Sequence, residues 1–189
     1  MKLLGNLELQ NYKKTMLNKN NILLIVIICA IVFLSRLLPH TPNFSPLLAV
    51  VLFTAVYADK KLFFLPFAIL FLSDIFLGFY TLGVMLSVYF SLLLTLLLGQ
   101  ILKKHHNAIN LLSSSLLSGL VFFLVTNFAV WYFGDWYPHT FSGLMSSYTL
   151  AIPFFKSTLV SNLVYTGLLF GSYAYLLNLQ EKKNILLAK

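Results

Sequence analysis

The chain has 189 residues, of which 59% are hydrophobic and 10% are charged, and its mean hydropathy is +0.87. Because soluble domains carry roughly 25% charged residues, this composition excludes a disordered segment, a coiled coil and a cytosolic enzyme, and it predicts a membrane protein of one domain. The formal charge of +8 does not indicate nucleic-acid binding, since the basic residues lie in short clusters between apolar runs, and the single cysteine, Cys29, excludes an intrachain disulfide.

Six apolar runs follow the basic N-terminal segment, and each predicts a transmembrane helix. A bilayer core of about 30 Å requires roughly 20 predominantly apolar residues in helical form. The runs are residues 22–38, 44–58, 62–80, 82–102, 111–134 and 157–177. The first run lacks a small-residue cleavage site and is expected to be retained. The predicted fold is all-α, with a six-span membrane bundle over residues 22–177, a cytoplasmic segment at 1–21 and a cytoplasmic tail at 178–189.

The distribution of Lys and Arg predicts the orientation of the spans, because cytoplasmic loops are enriched in both residues. With the N-terminus inside, the outer side keeps only Arg36 and Lys156. The inner side holds Lys2, Lys13, Lys14, Lys19, Lys60, Lys61, Lys103, Lys104, Lys182, Lys183 and Lys189. An odd number of spans would move one basic end to the outer side. We therefore expect a multi-pass protein in the lipid bilayer of the plasma (inner) membrane, with both termini in the cytoplasm.

Residues 135–156, on the predicted outer side, are too polar to span the membrane. Apolar residues nevertheless recur there at three- and four-residue spacing, as in a helix that lies on a surface. These residues are Phe141, Leu144, Met145, Tyr148, Ile152 and Phe155. The pattern predicts a short interfacial helix or lid between spans five and six, and an irregular loop is the alternative.

Asp74 is an acidic residue inside a predicted span, where an ionisable group indicates a functional site. It lies twelve residues beyond Leu62, about 18 Å along a helix, and therefore in the outer half of span three. Its expected partners, Arg36 and Lys156, are on the same side. Two interpretations stay open: Asp74 lines a ligand cavity, or it forms an ion pair that only holds helices together.

A turn with two prolines follows span one and carries polar side chains. Pro39 and Pro42 favour an extended, non-helical backbone. His40 and Asn43 lie in this turn and Arg36 precedes it. We expect these three side chains to contribute to a substrate-binding site on the outer side.

The tripeptide Pro-His-Thr occurs at residues 39–41 and again at 138–140. The topology puts both copies outside, although the residues around them do not align as an internal repeat. The coincidence favours a pair of histidines, His40 and His139, near one site.

Aromatic residues and an amide cluster at the end of span five. Trp131 follows Asn127 by four residues, so both lie on one helical face and offer a stacking surface beside an amide. Trp136 is a further candidate for the site. For Tyr132 and Tyr137 we prefer an interfacial aromatic belt, which is common in membrane proteins.

Span six carries a polar stripe near its outer end, just after Lys156. The stripe consists of Thr158, Ser161, Asn162 and Tyr165. Such a stripe either binds a polar ligand or forms hydrogen bonds with a neighbouring helix, and the sequence favours neither. We count Asn162 and Lys156, together with Tyr148 of the predicted lid, among the candidate substrate contacts.

Small residues recur in span four at strict four-residue intervals. They are Gly83, Ser87, Ser91, Thr95 and Gly99. A ridge of this kind lets another helix approach closely, either inside the bundle or from a partner subunit.

The sequence contains no recognisable catalytic or cofactor motif. There is no phosphate-binding glycine loop, no Gly-x-Ser-x-Gly motif and no pair of carboxylates, so nucleotide hydrolysis is not expected and no cofactor is predicted. Four residues could in principle bind a metal: His40, His139, Asp74 and Asp135. They lack the compact spacing of typical ligand motifs, which disfavours a metal site without excluding one.

Four motifs together resemble a known family. They are Arg36 with Pro39-His40-Thr41-Pro42-Asn43-Phe44-Ser45-Pro46, Ser73-Asp74-Ile75-Phe76-Leu77-Gly78-Phe79, Thr126-Asn127-Phe128-Ala129-Val130-Trp131, and Tyr148 with Ala151-Ile152-Pro153-Phe154-Phe155. They resemble an uncharacterised family of bacterial six-span proteins thought to act in transport. That family is in turn distantly similar to the substrate-binding S components of energy-coupling-factor (ECF) transporters. The resemblance implies capture of a vitamin, cofactor precursor or metal ion from outside, and a coupling subunit with two ATPases as partner.

The leading hypothesis is therefore an S-component-like protein that binds a small-molecule substrate for uptake. Two alternatives come from other classes. One is a membrane-embedded enzyme that uses Asp74 and the outer histidines, and the other is a cell-envelope scaffold without a ligand.

Overall fold

The computed structural model describes residues 19–38 and 41–187, and within them it contains seven α-helices, one short 3-10 helix and no β-strand. The helices are α1 (Lys19–Leu37), α2 (Leu47–Tyr57), α3 (Leu65–Leu77), α4 (Leu82–Lys104), α5 (Ala108–Phe133), α6 (Phe141–Leu150) and α7 (Ile152–Leu187), and the 3-10 helix is Lys60–Leu62. The predicted all-α class is confirmed. The N-terminal segment before Lys19 lies outside the described residues, as do Pro39 and His40.

Local signals in the sequence account for the helix ends. Asn107 caps α5, and its side chain accepts a 2.8 Å hydrogen bond from the Asn110 backbone N–H. Thr140 caps α6 in the same way by accepting from the Gly143 N–H at 3.2 Å. α3 ends at Gly78, whose φ of 95° favours glycine. These residues therefore set the start of α5, the start of α6 and the end of α3.

α2 forms the core of the bundle. Its ten residues from 47 to 56 are all buried, and the helix contacts α1, α3, α4, α5 and α7. α4 approaches it most closely where a side chain at Gly99 would collide with the Ala55 methyl group. Ser91 and Thr95, on the same face of α4, are fully buried. The predicted small-residue ridge therefore packs inside the bundle at these positions.

The region between α5 and α7 differs from the predicted stripe over residues 141–155. α6 ends at Leu150, and the chain turns at Ala151, whose N–H donates to the Tyr148 carbonyl at 3.2 Å. Ile152 and Phe155 consequently belong to α7 instead of the short helix. Pro153 lies in the first turn of α7, where its missing N–H has no helical partner to lose.

Two helices, α4 and α5, are long and apolar enough to cross a membrane by length and composition. In the most apolar 18-residue stretch of each helix, only 33% of the stretch is buried in α4 and 17% in α5. The segment Val26–Leu37 of α1 and the whole of α2 are shorter apolar helices. These lengths and compositions suggest association with a membrane.

The connections between helices lie at two ends of the bundle. At one end the Tyr57 hydroxyl lies 3.4 Å from His106 Nε2, and both rings contact Phe170. At the other end Asn43, Tyr80 and Ala151 line one cavity. The segments before α2, between α3 and α4, and between α6 and α7 therefore meet at this second end.

Candidate functional site

Two adjoining cavities of about 230 and 200 Å³ lie at the second end. They share the walls formed by Asn43, Tyr80, Val88, Phe122 and Thr158, and we call them together the bundle cavity. Arg36 and Ser45 line the smaller cavity. Together the two volumes lie near the lower end of the roughly 300–1,000 Å³ of small-molecule pockets, so the bundle cavity suits a small molecule.

A tight turn carries Asn43 to this cavity. The Phe44 N–H donates to the Thr41 carbonyl at 3.0 Å, with Pro42 and Asn43 as the two central residues. Asn43 has a φ of +60°, which is the left-handed conformation that a type II turn needs at its second central position and that asparagine tolerates. The Ser161 hydroxyl of α7 donates to the Thr158 carbonyl at 3.0 Å and also lies 3.4 Å from the Asn43 carbonyl, so the turn contacts α7 there.

Arg36 joins α1 to α3 through one edge of its guanidinium group. Nη2 donates to Asp74 Oδ1 at 2.7 Å, and Nε donates to Ser73 Oγ at 2.6 Å. The Ser73 hydroxyl in turn donates a hydrogen bond to the Leu70 carbonyl at 2.7 Å. Asp74 is 1% exposed and does not line the bundle cavity, so of the two partners only Arg36 reaches it.

Asp74 also interacts with Tyr89 of α4. Asp74 Oδ2 and the Tyr89 hydroxyl are both buried, and neither makes a hydrogen bond of normal geometry with a described residue. They nevertheless interact electrostatically, and Tyr80 contributes to the same cluster. The cluster thus links α1, α3 and α4 beneath the cavity.

Aromatic rings form the opposite wall. Phe123 of α5 stacks on Phe155 of α7, with 4.4 Å between ring centroids and 29° between the ring planes. Phe122 and Phe154 line the same cavity. Asn127 is the amide in this wall: its Nδ2 donates to the Phe123 carbonyl at 2.8 Å, and its Oδ1 has no partner among the described residues.

α6 covers the aromatic wall through contacts with α5. The Tyr148 hydroxyl donates to the Leu124 carbonyl at 2.9 Å, and Ser147 Oγ donates to the Asn127 carbonyl at 3.4 Å. Burial raises the pKa of the Tyr148 phenol above its ordinary value, so the group is a neutral donor at physiological pH. Tyr148 therefore holds α6 in place and does not itself line the cavity.

Several sequence candidates lie elsewhere. Trp131 Nε1 donates to the Pro138 carbonyl at 3.0 Å, and its ring contacts His139 in a surface cluster. Trp136 is 86% exposed, and Lys156 is also exposed. None of these four residues lines the bundle cavity. His40 lies outside the described residues, so the expected pairing with His139 stays a prediction.

Asn162 joins α7 to α5 in the bundle interior. Its Nδ2 donates to the Ser115 carbonyl at 2.6 Å and to Ser118 Oγ at 2.8 Å. Its neighbour in the predicted polar stripe, Thr158, lines both parts of the cavity. Of these two residues of the stripe, Thr158 therefore lies at the cavity and Asn162 lies between helices.

The structure also adds residues that the sequence did not single out for the site. Tyr80, Phe122 and Thr126 all line the cavity. Thr126 stands next to Asn127, but only the packing of α5 indicates that both residues reach one cavity. In the described part of the chain, no group of three His, Cys, Asp or Glu residues is arranged to hold a metal ion.

Comparison with known proteins identifies the family. Residues 15–185 match the family of unknown function DUF6580, so the chain belongs to that family. No curated protein and no solved structure matches the chain significantly.

Proposed function

We propose that this member of the DUF6580 family is a multi-pass plasma-membrane protein that binds a small nutrient from the outer side for uptake, in the manner of an S component. The observation that carries the proposal is the bundle cavity, which combines Arg36, Asn43 and Asn127 with an apolar wall. A concave, mostly apolar site with a few polar groups is typical of small-molecule recognition.

The exposed surface supports a location in lipid. α5 exposes Leu116, Leu120 and Leu124, each at least 39% accessible, at four-residue spacing. Soluble monomers rarely expose apolar patches of this extent. α4 and α5 are also largely unburied within the bundle, unlike the core helices of soluble proteins, and they lie far from the N-terminus, unlike a signal sequence.

α7 supports a further span although its overall composition is more polar. Its polar residues Ser161 and Asn162 are each 1% exposed. Val160, Val164 and Leu168 on the outward face are 53%, 45% and 60% exposed. These two polar residues of α7 thus face other helices and would not contact lipid.

The two ends of the bundle support the proposed orientation. The connections that carry Lys60 and Lys104 meet around Tyr57, His106 and Phe170. Arg36 belongs to the cavity end. An excess of lysine at the end away from the cavity is what the positive-inside rule expects of a cavity that opens outward. A coupling subunit with two ATPases rests on the resemblance to S components alone.

Analysis of co-purified small molecules tests the proposal. The protein is purified in detergent and its bound solutes are identified by mass spectrometry, alongside the cavity variant Asn127→Leu and the matched control Asn178→Leu, which changes an exposed residue of α7. We expect one solute in near-stoichiometric amount with the wild type and the control, and loss of it with Asn127→Leu. An empty protein bound to other envelope proteins would favour the scaffold, and turnover of a lipid would favour the enzyme.

A further inference from the structure

We infer that the solute is a small aromatic monocarboxylate, with its carboxylate on Arg36 and its ring against the phenylalanine wall. The inference rests on the proposed function and names the substrate class of that same site. It depends on three observations: the unused edge of the Arg36 guanidinium, the charge of the cavity lining, and the chemistry of the wall farthest from Arg36.

Arg36 has donors left after its contacts within the protein. Asp74 and Ser73 occupy the edge formed by Nη2 and Nε. Nη1 has no hydrogen-bond partner among the described residues, and the side chain is 20% exposed where it lines the smaller cavity. A guanidinium group has five N–H donors in a rigid fork, so the edge between Nη1 and Nη2 remains for a second planar acceptor. A carboxylate matches that edge with two parallel hydrogen bonds.

Asp74 and Ser73 act as positioning residues in this arrangement. They fix the plane of the guanidinium group from behind, at 2.7 and 2.6 Å, before a ligand arrives. Preorganisation of this kind removes part of the ordering cost of binding. Asp74 is not itself a ligand contact, because it is 1% exposed and does not line either part of the cavity.

The charge of the lining favours an anion. Among the described residues that line the cavity, Arg36 is the only charged one. A cationic ligand would meet the guanidinium group without a carboxylate to pair with, and like charges in a partly desolvated site repel each other strongly. Ser45 and Asn43 add neutral donors near the same end. Because Arg36 already shares its charge with Asp74, it can hold one further carboxylate at most, and a second negative charge on the ligand would have no partner.

The other end of the cavity requires an apolar body. Phe122, Phe123, Phe154 and Phe155 line the larger cavity together with Val88 and Val130. Aromatic pairs gain about 0.5–1.5 kcal/mol beyond the area that they bury, so four phenylalanines favour an aromatic ring over an aliphatic chain. Asn127 Oδ1 is left to accept one hydrogen bond from a donor on that ring.

Three matched probes test the inference: benzoate, benzamide and benzylamine share one ring and differ in charge. Thermal unfolding of the detergent-purified protein is followed by tryptophan fluorescence, and binding is measured by calorimetry. We expect benzoate to raise the melting temperature in a saturable way and the other two to have little effect. Stabilisation by benzamide or benzylamine in place of benzoate would overturn the inference, and so would the absence of stabilisation by any of the three.

Variants connect binding to Arg36. Because Arg36→Gln alone leaves Asp74 buried without its partner, the informative variant is Arg36→Gln combined with Asp74→Asn, which keeps a neutral hydrogen-bonding pair. We expect benzoate affinity to fall by at least about 10-fold, the lower bound for hydrogen bonds to a charged group. Lys156→Gln, which removes an exposed cation outside the cavity, should bind as the wild type does. Unchanged affinity in the double variant would contradict the inference.

The proposed function is judged separately from this class assignment. A co-purified solute that is neutral or cationic would contradict the carboxylate assignment and still be consistent with the proposed uptake function. If the purified protein carried no solute of any class, and the Asn127→Leu variant did not differ from the wild type, the proposed uptake function itself would be contradicted.

Discussion

Asn162 donates a hydrogen bond to Ser118 Oγ across 2.8 Å and thereby joins α7 to α5 inside the bundle. The same amide group donates to the Ser115 carbonyl at 2.6 Å. Thr166 continues the contact one turn further along α7, with 3.3 Å between its hydroxyl and that of Ser115. Polar contacts of this kind lie away from the cavity and hold the two helices in one register.

Replacing Asn162 by leucine should therefore destabilise the bundle. The change removes two donors and leaves the Ser115 carbonyl and Ser118 hydroxyl without this partner, at a cost of about 1–3 kcal/mol. Thermal unfolding in detergent measures the loss, and the control Asn178→Leu, on the exposed face of the same helix, should unfold as the wild type does. Equal melting temperatures for both variants would show that the contact contributes nothing.

The Arg36–Asp74 pair should behave as a coupled unit. Breaking a buried ion pair costs about 3–5 kcal/mol, and since the Arg36 side chain is 20% exposed we expect Asp74→Asn to fall near the lower end. Arg36→Gln should be comparably harmful, and the double variant should cost less than the sum of the two. Melting curves of the four proteins form a double-mutant cycle, in which additive losses would exclude the pairing.

Alanine substitutions at two glycines should have different effects, because Gly99 of α4 packs closely on α2 and Gly171 of α7 does not pack on a neighbour. Gly99→Ala should destabilise by about 1–3 kcal/mol, because the added methyl group collides with Ala55, and a further Ala55→Gly change should restore part of the loss. Gly171→Ala on α7 has open space around its Cβ and should be neutral or stabilising by up to about 1 kcal/mol. A Gly99→Ala protein as stable as the wild type would contradict the contact.

Cysteine labelling tests the proposed topology. Cys29 is 1% exposed and should not react, but it is replaced by alanine for clarity. Single cysteines at Lys60 and Lys104 should be labelled only from the cytoplasm, and those at Asp135 and Ser142 only from outside, since all four positions are exposed. A membrane-impermeant maleimide on intact cells and on inverted vesicles separates the two cases. Labelling of position 142 from the cytoplasm alone would contradict six spans.

The sequence predicted α4 and α5 to within a few residues, because charged and capping residues interrupt the apolar runs. Lys103 and Lys104 end the first, and Asn107 begins the second by capping it. The break at Ala151 was not predictable from periodicity, since the apolar spacing continues through Ile152 and Phe155. Only the return of the chain on itself, with the Ala151 N–H bonded to Tyr148, separates α6 from α7.

The candidate site was predictable as residue types but not as neighbours. An arginine and an aspartate on one side of a membrane protein are expected to pair, and Arg36 and Asp74 do. Nothing local distinguishes Asn127, which lines the cavity, from Asn162, which joins two helices, because the difference depends on which helix packs against each face. Nothing in the sequence singled out Tyr80, because it lies in the short non-helical connection between α3 and α4, where no periodicity indicates which way a side chain points.

The central helix is also the shortest of those that form the bundle core. α2 has 11 residues, about 16 Å of helix, which is roughly half the thickness of a bilayer core. The approach to it, residues 41–46, is non-helical, and the Ser161 hydroxyl lies 3.4 Å from the Asn43 carbonyl within it. In the proposed membrane location, irregular backbone needs such partners from the protein. Asn43 and Ser45 of this approach line the bundle cavity. Extending this helix toward its N-terminus would draw both residues into the helix, so the start of α2 at Leu47 is what leaves their side chains available to the site.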